Sequence, residues 1–407
     1  MTQDGTVYNP ACAIMNLDRP HLTRRALLRG AAVTGLGAAA GPFLNLGSFP
    51  LFAGSPTRYS ARAIQLVERS LVIDMLNPFS LPSLFRLPGR NWFDDPASFS
   101  AADLAHLRAS GHTVLHVAGG VQQHDDVVRF HLLWNGFIAH HSDTFARIDD
   151  VEGLERIKKS GKTGILLGVQ DSVHFRTVED VELFYRYGQR VSQLTYNARN
   201  LLGNGCTERR DDGLSDFGVA VIGHMDRLGM AVDVSHCGER TTLDAFEVSK
   251  RPVLITHSNC RALVPQQPRS KTDEAIRAMA AKGGVMGLTF MRMFVRDREP
   301  TTLEHLLDHV DHIARLVGIE HAGIGSDTDL AGWDALPADT REALRGAYKK
   351  EIGFREKMDL DGVDSPRRVF DLTEGLIRRG YSDPDIEGVL GGNFRRALTA
   401  IWTPTAR

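Results

Sequence analysis

Two histidines that closely follow short apolar runs are the residues of this chain best suited to chemistry. The runs are Met230–Val234 and Pro252–Ile255, and the histidines are His236 and His257. Helix-forming spacing in Arg240–Ser249 separates the runs, so the sequence predicts a strand–helix–strand unit. Neighbouring parallel strands lie about 4.8 Å apart, and both imidazoles should therefore reach one small volume. Such a pair is suited to holding a metal ion.

The alternation of apolar runs and helix-forming segments extends over most of the chain. Predicted strands cover residues 71–74, 113–118, 164–169, 191–195, 230–234, 253–256, 285–290 and 322–326. Predicted helices lie between them, including a long one at residues 125–147. This order favours a parallel (β/α)8 barrel over a doubly wound open sheet, because no Gly-rich phosphate loop follows the first strand. We expect one domain at residues 60–407, with helices at 367–379 and 383–401 covering the barrel.

Polar residues occupy most of the predicted strand ends, where a (β/α)8 barrel carries its active site. These ends are Asp74, His116, Gln170, Tyr196, His236, His257, Phe290 and Asp327. Several of them could ligate a metal or carry a proton. A purely structural barrel face would not need them.

Composition and cysteine content narrow the functional classes. The chain has 407 residues and a net charge of −2, without a long basic block, so nothing indicates nucleic-acid binding. Beyond the amino-terminal region, the three cysteines Cys206, Cys237 and Cys260 imply no disulfide framework. Cys237 and Cys260 could be buried thiols, extra ligands or a disulfide pair, and we favour buried thiols.

The amino-terminal region resembles a twin-arginine export signal. Arg24 and Arg25 precede a weakly apolar, Gly/Ala-rich run at residues 30–46. We therefore expect residues 1–54 to be a leader outside the fold, although an ordinary basic tail is the alternative. The expected partner is the twin-arginine machinery, which would place the protein in the periplasm or on the outer face of the membrane.

Motifs in the second half of the chain resemble those of the membrane dipeptidase (renal dipeptidase) family, zinc peptidases with an amidohydrolase-type barrel. They are DGLSDFG at residues 212–218, LGM…DVSH at 228–236, THSN at 256–259, PR…D at 268–273, GIGSD at 323–327 and LGGNF at 390–394. The resemblance covers residues 60–403.

The resemblance implies roles for individual residues. His236 and His257 would be zinc ligands, and Arg269 would pair with the carboxylate of a dipeptide-like substrate. Asp327 would be the acid/base that takes a proton from water and passes it to the leaving amine. Asn197 is a second candidate for substrate binding. A homodimer is also plausible from the resemblance.

The chain departs from the family pattern at the other expected metal ligands. The first strand ends in Asp74-Met75-Leu76-Asn77-Pro78 where the family has D-G-H-N-D, and Leu76 and Pro78 cannot bind metal. Gln170 stands in place of the bridging glutamate. Tyr196 stands in place of a histidine thought to hold the tetrahedral intermediate, and its phenol could donate to an oxyanion instead.

These departures predict one zinc per chain rather than two, bound by His236 and His257. The candidates for further ligands are Asp74, Gln170, Cys206 and Glu208. The favoured function is metal-dependent hydrolysis of a dipeptide or similar small amide. One alternative is a different reaction in the same barrel, on a non-peptide amide, lactam or ester, or a metal-independent isomerisation. Another is an exported binding protein without catalysis.

Overall fold

The computed structural model describes residues 47–50, 58–79, 92–120, 123–347 and 350–403. The predicted leader lies outside these ranges except for residues 47–50, and it stays a prediction. Residues 48–50 form β1 (Ser48–Pro50), which pairs antiparallel with β2 (Arg58–Ser60) beyond the predicted leader. None of the helices in the described part of the chain has both the length and the hydrophobicity that a membrane crossing requires.

Eight parallel strands form a barrel, which confirms the predicted (β/α)8 architecture. They are β3 (Ile73–Asp74), β4 (Val114–Gly119), β6 (Thr163–Val169), β7 (Gln189–Gln193), β8 (Ala231–Asp233), β9 (Ile255–Ser258), β10 (Met286–Leu288) and β11 (Ala322–Ile324). Hydrogen bonding runs in the order β8-β7-β6-β4-β3-β11-β10-β9. Leu254 N donates to Val232 O over 2.9 Å, and Val234 N donates to Leu254 O over 3.0 Å. These bonds join β8 to the residue before β9 and close the barrel.

Helices surround the barrel. Their bounds are Ala61–Arg69, Ala101–Ala109, His124–His140, Val151–Ser160, Asp180–Arg186, Asp216–Leu228, Glu239–Val248, Asp273–Ala281, Arg292–Val295, Leu303–Val317, Ala338–Ala347, Arg368–Arg378, Asp383–Glu387 and Asn393–Trp402. A capping box between Ser100 and Asp103 begins the helix Ala101–Ala109.

The prediction of one helix at residues 125–147 is wrong at its carboxyl end. The helix ends at His140, and β5 (Phe145–Arg147) pairs parallel with β6. The side chain of Phe145 is buried against Phe137 and Phe99. In the sequence, the apolar Phe145 could either continue the amphipathic helix or begin a strand. Its packing against Phe137 and Phe99 stabilises the extended conformation.

Close backbone packing brings the chain after β11 against β9 at the carboxyl end of the barrel. A Cβ atom at Gly325 would lie 1.9 Å from Thr256 O, so the chain after β11 packs against β9 only because this residue is glycine. This contact lies directly beside His257. The contact therefore restrains the position of His257 at the carboxyl end of the barrel.

Candidate active site

The two histidines singled out by the sequence meet at the carboxyl end of the barrel. His257 lies in β9 and is fully buried, and His236 follows β8 and is 5% exposed. Their Nε2 atoms are 2.9 Å apart. The strand–helix–strand unit thus brings the imidazoles together as the sequence predicted.

Hydrogen bonds on the far side of each ring fix its tautomer. His236 Nδ1 lies 2.7 Å from Asn197 Oδ1, which can only accept, so this nitrogen carries the proton. His257 Nδ1 lies 2.8 Å from Thr256 Oγ1, whose own proton goes to Asp233 Oδ2 over 2.7 Å. His257 Nδ1 therefore also donates. Each Nε2 atom is left with a lone pair, and the two lone pairs face each other.

Two facing lone pairs repel unless a cation lies between them. A proton is disfavoured there, because burial and the charge of Arg269 lower the pKa of His236 and His257 well below the usual value. Two nitrogen ligands of one tetrahedral zinc lie about 3.3 Å apart, from bonds of about 2.0 Å. The pair is therefore suited to a shared metal ion. Across the described residues no group of three or more His, Cys, Asp or Glu side chains could hold one.

Asp74, a candidate further ligand, is already engaged by neighbouring donors. Its oxygens accept from Ser326 N over 2.7 Å, from Ser326 Oγ over 2.5 Å and from Asn77 Nδ2 over 2.9 Å. Burial raises the pKa of Asp74, but His112 and Ser326 outweigh burial and hold it below the usual value. The carboxylate thus serves as an anchor for the backbone around Ser326.

The candidates Gln170 and Glu208 are both half-buried. Gln170 is half-buried directly after β6, and its carbonyl oxygen accepts from Gln193 Nε2. Glu208 Oε1 accepts from Arg199 N over 3.1 Å. The structure therefore gives Glu208 a local partner.

Cys206 contacts the backbone of His236 and the side chain of Asn197. Its backbone N–H donates to His236 O over 2.8 Å, and its thiol donates to Asn197 Oδ1 over 3.3 Å. The thiol thus approaches His236 through Asn197, on the Nδ1 side of the ring. Cys237 and Cys260 are free, buried thiols, as we favoured.

Tyr196 covers one face of the His236 ring. The ring centroids are 4.1 Å apart and the planes meet at 20°, which is a stacked arrangement. The side chain is half-buried. The tyrosine therefore borders the volume in front of the histidine pair.

Asp327 lies directly beyond β11 with its backbone in the left-handed region, at φ 53°. Its N–H donates to Leu76 O over 2.8 Å, and its carbonyl oxygen accepts from Trp333 Nε1 over 2.6 Å. Burial raises the pKa of Asp327 to about 7, although Arg269 opposes the rise. The carboxyl group can therefore take up and release a proton near neutral pH.

Two buried cations lie beneath the site. Arg269 is 1% exposed and donates to Ser235 O and, over 2.8 Å, to His257 O. Lys271 is 4% exposed and donates to Cys237 O over 2.9 Å. Burial lowers the pKa of Lys271 to about 8. Within the described residues neither cation forms an ion pair, and Arg269 Nε has no partner.

The sequence did not reveal the supporting residues Asp233, Thr256, Lys271 and Trp333. The one feature of the sequence that could have pointed to Asp233 is its place in the D-V-S-H segment, two residues before Ser235. Ser235 N–H donates to Asp233 Oδ1 over 3.0 Å, and Ser235 Oγ donates to the same oxygen over 2.6 Å. Nothing in the sequence distinguished Lys271 from a surface lysine.

A family model described as membrane dipeptidase, peptidase family M19, matches residues 61–344, which is more than half of the chain. The chain belongs to the membrane dipeptidase family. It is similar to dipeptidase verJ from Clonostachys rogersoniana, with 30% identity over 267 residues, covering 65% of this chain and 62% of the relative. The match to dipeptidase tcpJ from Claviceps purpurea has 27% identity and covers 64% of this chain and 56% of that relative. The chain thus spans less than two thirds of these relatives.

Solved structures agree on the fold of this membrane dipeptidase family member. An amidohydrolase from Pseudomonas aeruginosa superimposes with a TM-score of 0.72 at 27% identity, covering 84% of this chain and 99% of that one. A metallopeptidase from Rhodobacter sphaeroides, solved with a phosphinate mimic of the dipeptide L-Ala-D-Ala, gives a TM-score of 0.65 at 18% identity. That match covers 81% of this chain and 99% of the other.

Proposed function

We propose that this protein is a metal-dependent hydrolase that cleaves the amide bond of dipeptides or similar small substrates. The observation that carries the proposal is the pair of facing Nε2 lone pairs on His236 and His257. Asp327 and Arg269 supply the proton-transfer group and the anion partner beside it. Family membership supports the same reaction class.

His236 and His257 would hold the metal, which supplies a Lewis acid that polarises a carbonyl and lowers the pKa of bound water. Asp327, with its pKa of about 7, takes a proton from the attacking water and delivers it to the leaving amine. Tyr196 borders the same volume, and its hydroxyl is our candidate donor to the developing oxyanion.

Arg269 would bind the free carboxylate of the substrate. A guanidinium that is 1% exposed and lacks an ion-pair partner within the described residues is stabilised by an incoming anion. The oxygen of Asn197 accepts from His236, so we assign this residue to support of the metal ligands as well as to the edge of the substrate site.

We propose that the metal is zinc and that one ion binds per chain. Leu76, which is 1% exposed, and Pro78 provide no ligand at the end of β3, and the oxygens of Asp74 are engaged by Ser326. Elemental analysis of the purified protein tests this number. About two zinc ions per chain would show that further ligands are present.

We also propose export through the twin-arginine pathway and, from the family resemblance, assembly as a homodimer. The paired Arg24 and Arg25 support export. Replacing both with lysine should leave the protein in the cytoplasm on fractionation, and unchanged export would contradict the proposal. Sedimentation equilibrium tests the dimer.

The decisive experiment for the reaction combines zinc content with turnover of L,L- and L,D-dipeptides and N-acyl amino acids. Turnover that is lost on chelation and restored by zinc supports the proposal. Stoichiometric zinc without turnover of any compound would leave a binding protein as the function.

A further inference from the structure

Asp327 has a left-handed backbone conformation, which a residue other than glycine keeps only where the surrounding structure enforces it. The carboxyl group on this backbone is the proton-transfer group of the proposed function, so its position depends on what holds the chain on either side. Two buried charged side chains contact the chain there. They are Asp74 in β3 and Arg368 at the start of the helix Arg368–Arg378, and they are 0% and 1% exposed.

Asp74 restrains the chain on the amino-terminal side of Asp327. Its carboxylate accepts from Ser326 N over 2.7 Å and from Ser326 Oγ over 2.5 Å. Its Oδ1 atom also accepts from Leu76 N over 3.3 Å, and Leu76 O in turn accepts from the N–H of Asp327 over 2.8 Å. One carboxylate thus holds both the residue before Asp327 and the residue that pairs with its backbone N–H.

Arg368 restrains the chain on the carboxyl-terminal side of Asp327. Its two Nη atoms donate to the carbonyl oxygens of Thr328 and Asp329, the two residues that follow. Its Nη1 atom also donates to Ser326 Oγ over 3.0 Å. Three acceptors of this guanidinium therefore lie in the four-residue segment that contains Asp327.

The hydroxyl of Ser326 links the two charged side chains. It accepts from Arg368 and donates to Asp74, so the cation and the anion stabilise each other along one chain of hydrogen bonds. Burying such a pair adds little to the stability of a fold, because the loss of hydration offsets the attraction between the charges. Its contacts with the backbone around Asp327 point to a role in the site instead.

We propose that Asp74 and Arg368 are positioning residues, which hold the carboxyl group of Asp327 in place for proton transfer. This inference rests on the hydrolase function proposed above. Each of the two residues acts through the backbone on one side of Asp327. The helix Arg368–Arg378, which lies beyond the segment matched by the family model, thereby becomes one of the elements that build the site.

Arg368→Lys tests the contacts without removing the charge. An ammonium group cannot replace a planar guanidinium that donates to two carbonyl groups and a hydroxyl. We expect kcat for the dipeptide that the unaltered protein cleaves fastest to fall at least tenfold, with KM changed less than twofold. Arg378→Lys, at an exposed arginine of the same helix that pairs with Glu304, is the matched control. A folded Arg368→Lys protein with the kcat of this control overturns the inference.

Asp74→Asn tests the anion of the pair. The amide keeps the shape of the side chain, but its nitrogen cannot accept a hydrogen bond, so a bond to Ser326 is lost. The same fall in kcat at a nearly constant KM is expected. The control is Asp226→Asn, because the buried Asp226 likewise accepts from a serine hydroxyl and a backbone N–H, those of Ser249 and Lys250. Equal values of kcat for the two variants contradict the proposed role of Asp74.

Ser326→Ala keeps the inference testable if a charged variant does not fold. It deletes only the hydroxyl that links Arg368 to Asp74, so kcat should fall about threefold to tenfold. Ser249→Ala also deletes a buried hydroxyl that donates to a carboxylate, and its kcat should stay unchanged. Equal values of kcat for these two alanine variants overturn the inference.

A measurement that needs no turnover separates this inference from the proposed function. Crystal structures of the zinc-loaded unaltered protein, Arg368→Lys and Arg378→Lys give the position of the Asp327 carboxyl group. We expect a displacement of about 1 Å or more in Arg368→Lys and none in Arg378→Lys. If the unaltered protein cleaves no amide, the hydrolase function fails, and the displacement still decides whether Arg368 positions Asp327. An undisplaced carboxyl group in Arg368→Lys overturns the inference at any level of activity.

Discussion

Asp327 holds a backbone conformation that disfavours a side chain, and it does so at the mouth of the barrel. Its φ of 53° costs about 1 kcal/mol or more for a residue other than glycine. Gly325, two residues earlier, is a glycine at a position where close packing leaves no room for a Cβ atom. Retaining a carboxyl group with a pKa of about 7 at a strained position is consistent with a role in proton transfer.

Asp327→Asn should lower kcat at least 100-fold and leave the melting temperature within a few degrees, because the amide cannot accept the proton of the attacking water. For the unaltered protein, activity should fall as the pH drops through about 7, since the proton acceptor is the ionised form. Steady-state kinetics between pH 5 and 9 measure both effects. Asp125→Asn, at an exposed helix position, is the control. Retention of activity within a few-fold would exclude the role of Asp327.

Asn197→Leu should weaken zinc binding by about 10- to 100-fold, because His236 loses the acceptor that fixes its tautomer. Asn197→Asp keeps an oxygen acceptor and should preserve the affinity. Competition with a chromophoric chelator gives the dissociation constants. Equal affinities for the two variants would show that the hydrogen bond to Asn197 does not support the metal site.

At the residue scale, the sequence was a better guide to the candidate site residues than to the residues that surround them. The spacing of the apolar runs pointed to His236 and His257, and the resemblance added Arg269 and Asp327. Thr256 and Lys271 were missed because their roles depend on contacts with Asp233 and Cys237, which no local sequence pattern reports. The position of Asp74 at a strand end suggested a metal ligand. The structure shows instead that Ser326 donates hydrogen bonds to its carboxylate.

The strands were more predictable than the segments between them. All eight barrel strands were predicted, because each lies within a continuous apolar run of the kind that a doubly covered parallel sheet requires. β5 was missed because its apolar residue continued the helical pattern of His124–His140. Tertiary pairing with β6, which no local pattern reports, determines its conformation.

The loop after β11 is the element that sets the position of Asp327. Trp333 Nε1 donates to the carbonyl of Asp327, and the backbone N–H groups of Trp333 and Asp334 donate to the two oxygens of Asp359. The indole is 8% exposed. The loop thus holds the carbonyl group of Asp327, while Leu76 O accepts from its N–H.

Trp333→Phe should lower kcat about tenfold with little change in KM, because it keeps an aromatic ring but removes the donor that holds the strained backbone. The apparent pKa of the acidic limb of the pH–rate profile should shift, which a purely structural loss would not cause. Trp402→Phe is the control, because the indole nitrogen of Trp402 has no hydrogen-bond partner within the described residues. Identical kinetic profiles for both variants would contradict a positioning role for Trp333.

For the whole molecule, we expect buried histidines away from the site to make the stability depend on pH in the acid range. His131 and His174 pack against Phe184, with ring centroids 5.8 Å and 4.5 Å from it. His131 is 1% exposed, and its Nε2 has no partner within the described residues. Burial lowers the pKa of His131 to about 4 and that of His174 to about 3.

These lowered values make the folded protein less stable in acid. The unfolded chain binds protons at these histidines below about pH 6.5, whereas the folded chain resists protonation until about pH 4 at His131 and about pH 3 at His174. The stabilising contribution of His131 is therefore complete above pH 6.5 and is lost as the pH falls toward 4. At about 1.4 kcal/mol per pH unit, the loss for His131 between pH 7.5 and 4.5 is about 2 to 3 kcal/mol.

His131→Leu should remove this part of the acid sensitivity, because leucine cannot bind a proton in either state. The fall in the free energy of unfolding between pH 7.5 and 4.5 should be about 2 to 3 kcal/mol smaller than in the unaltered protein. Urea titrations at both pH values measure the difference, which is independent of any constant cost of losing the bond from His131 Nδ1 to Val127 O. His140→Leu, at an exposed position on the same helix, should leave the pH dependence unchanged. An equal acid-induced loss in His131→Leu and the unaltered protein would show that this histidine is not a source of the instability.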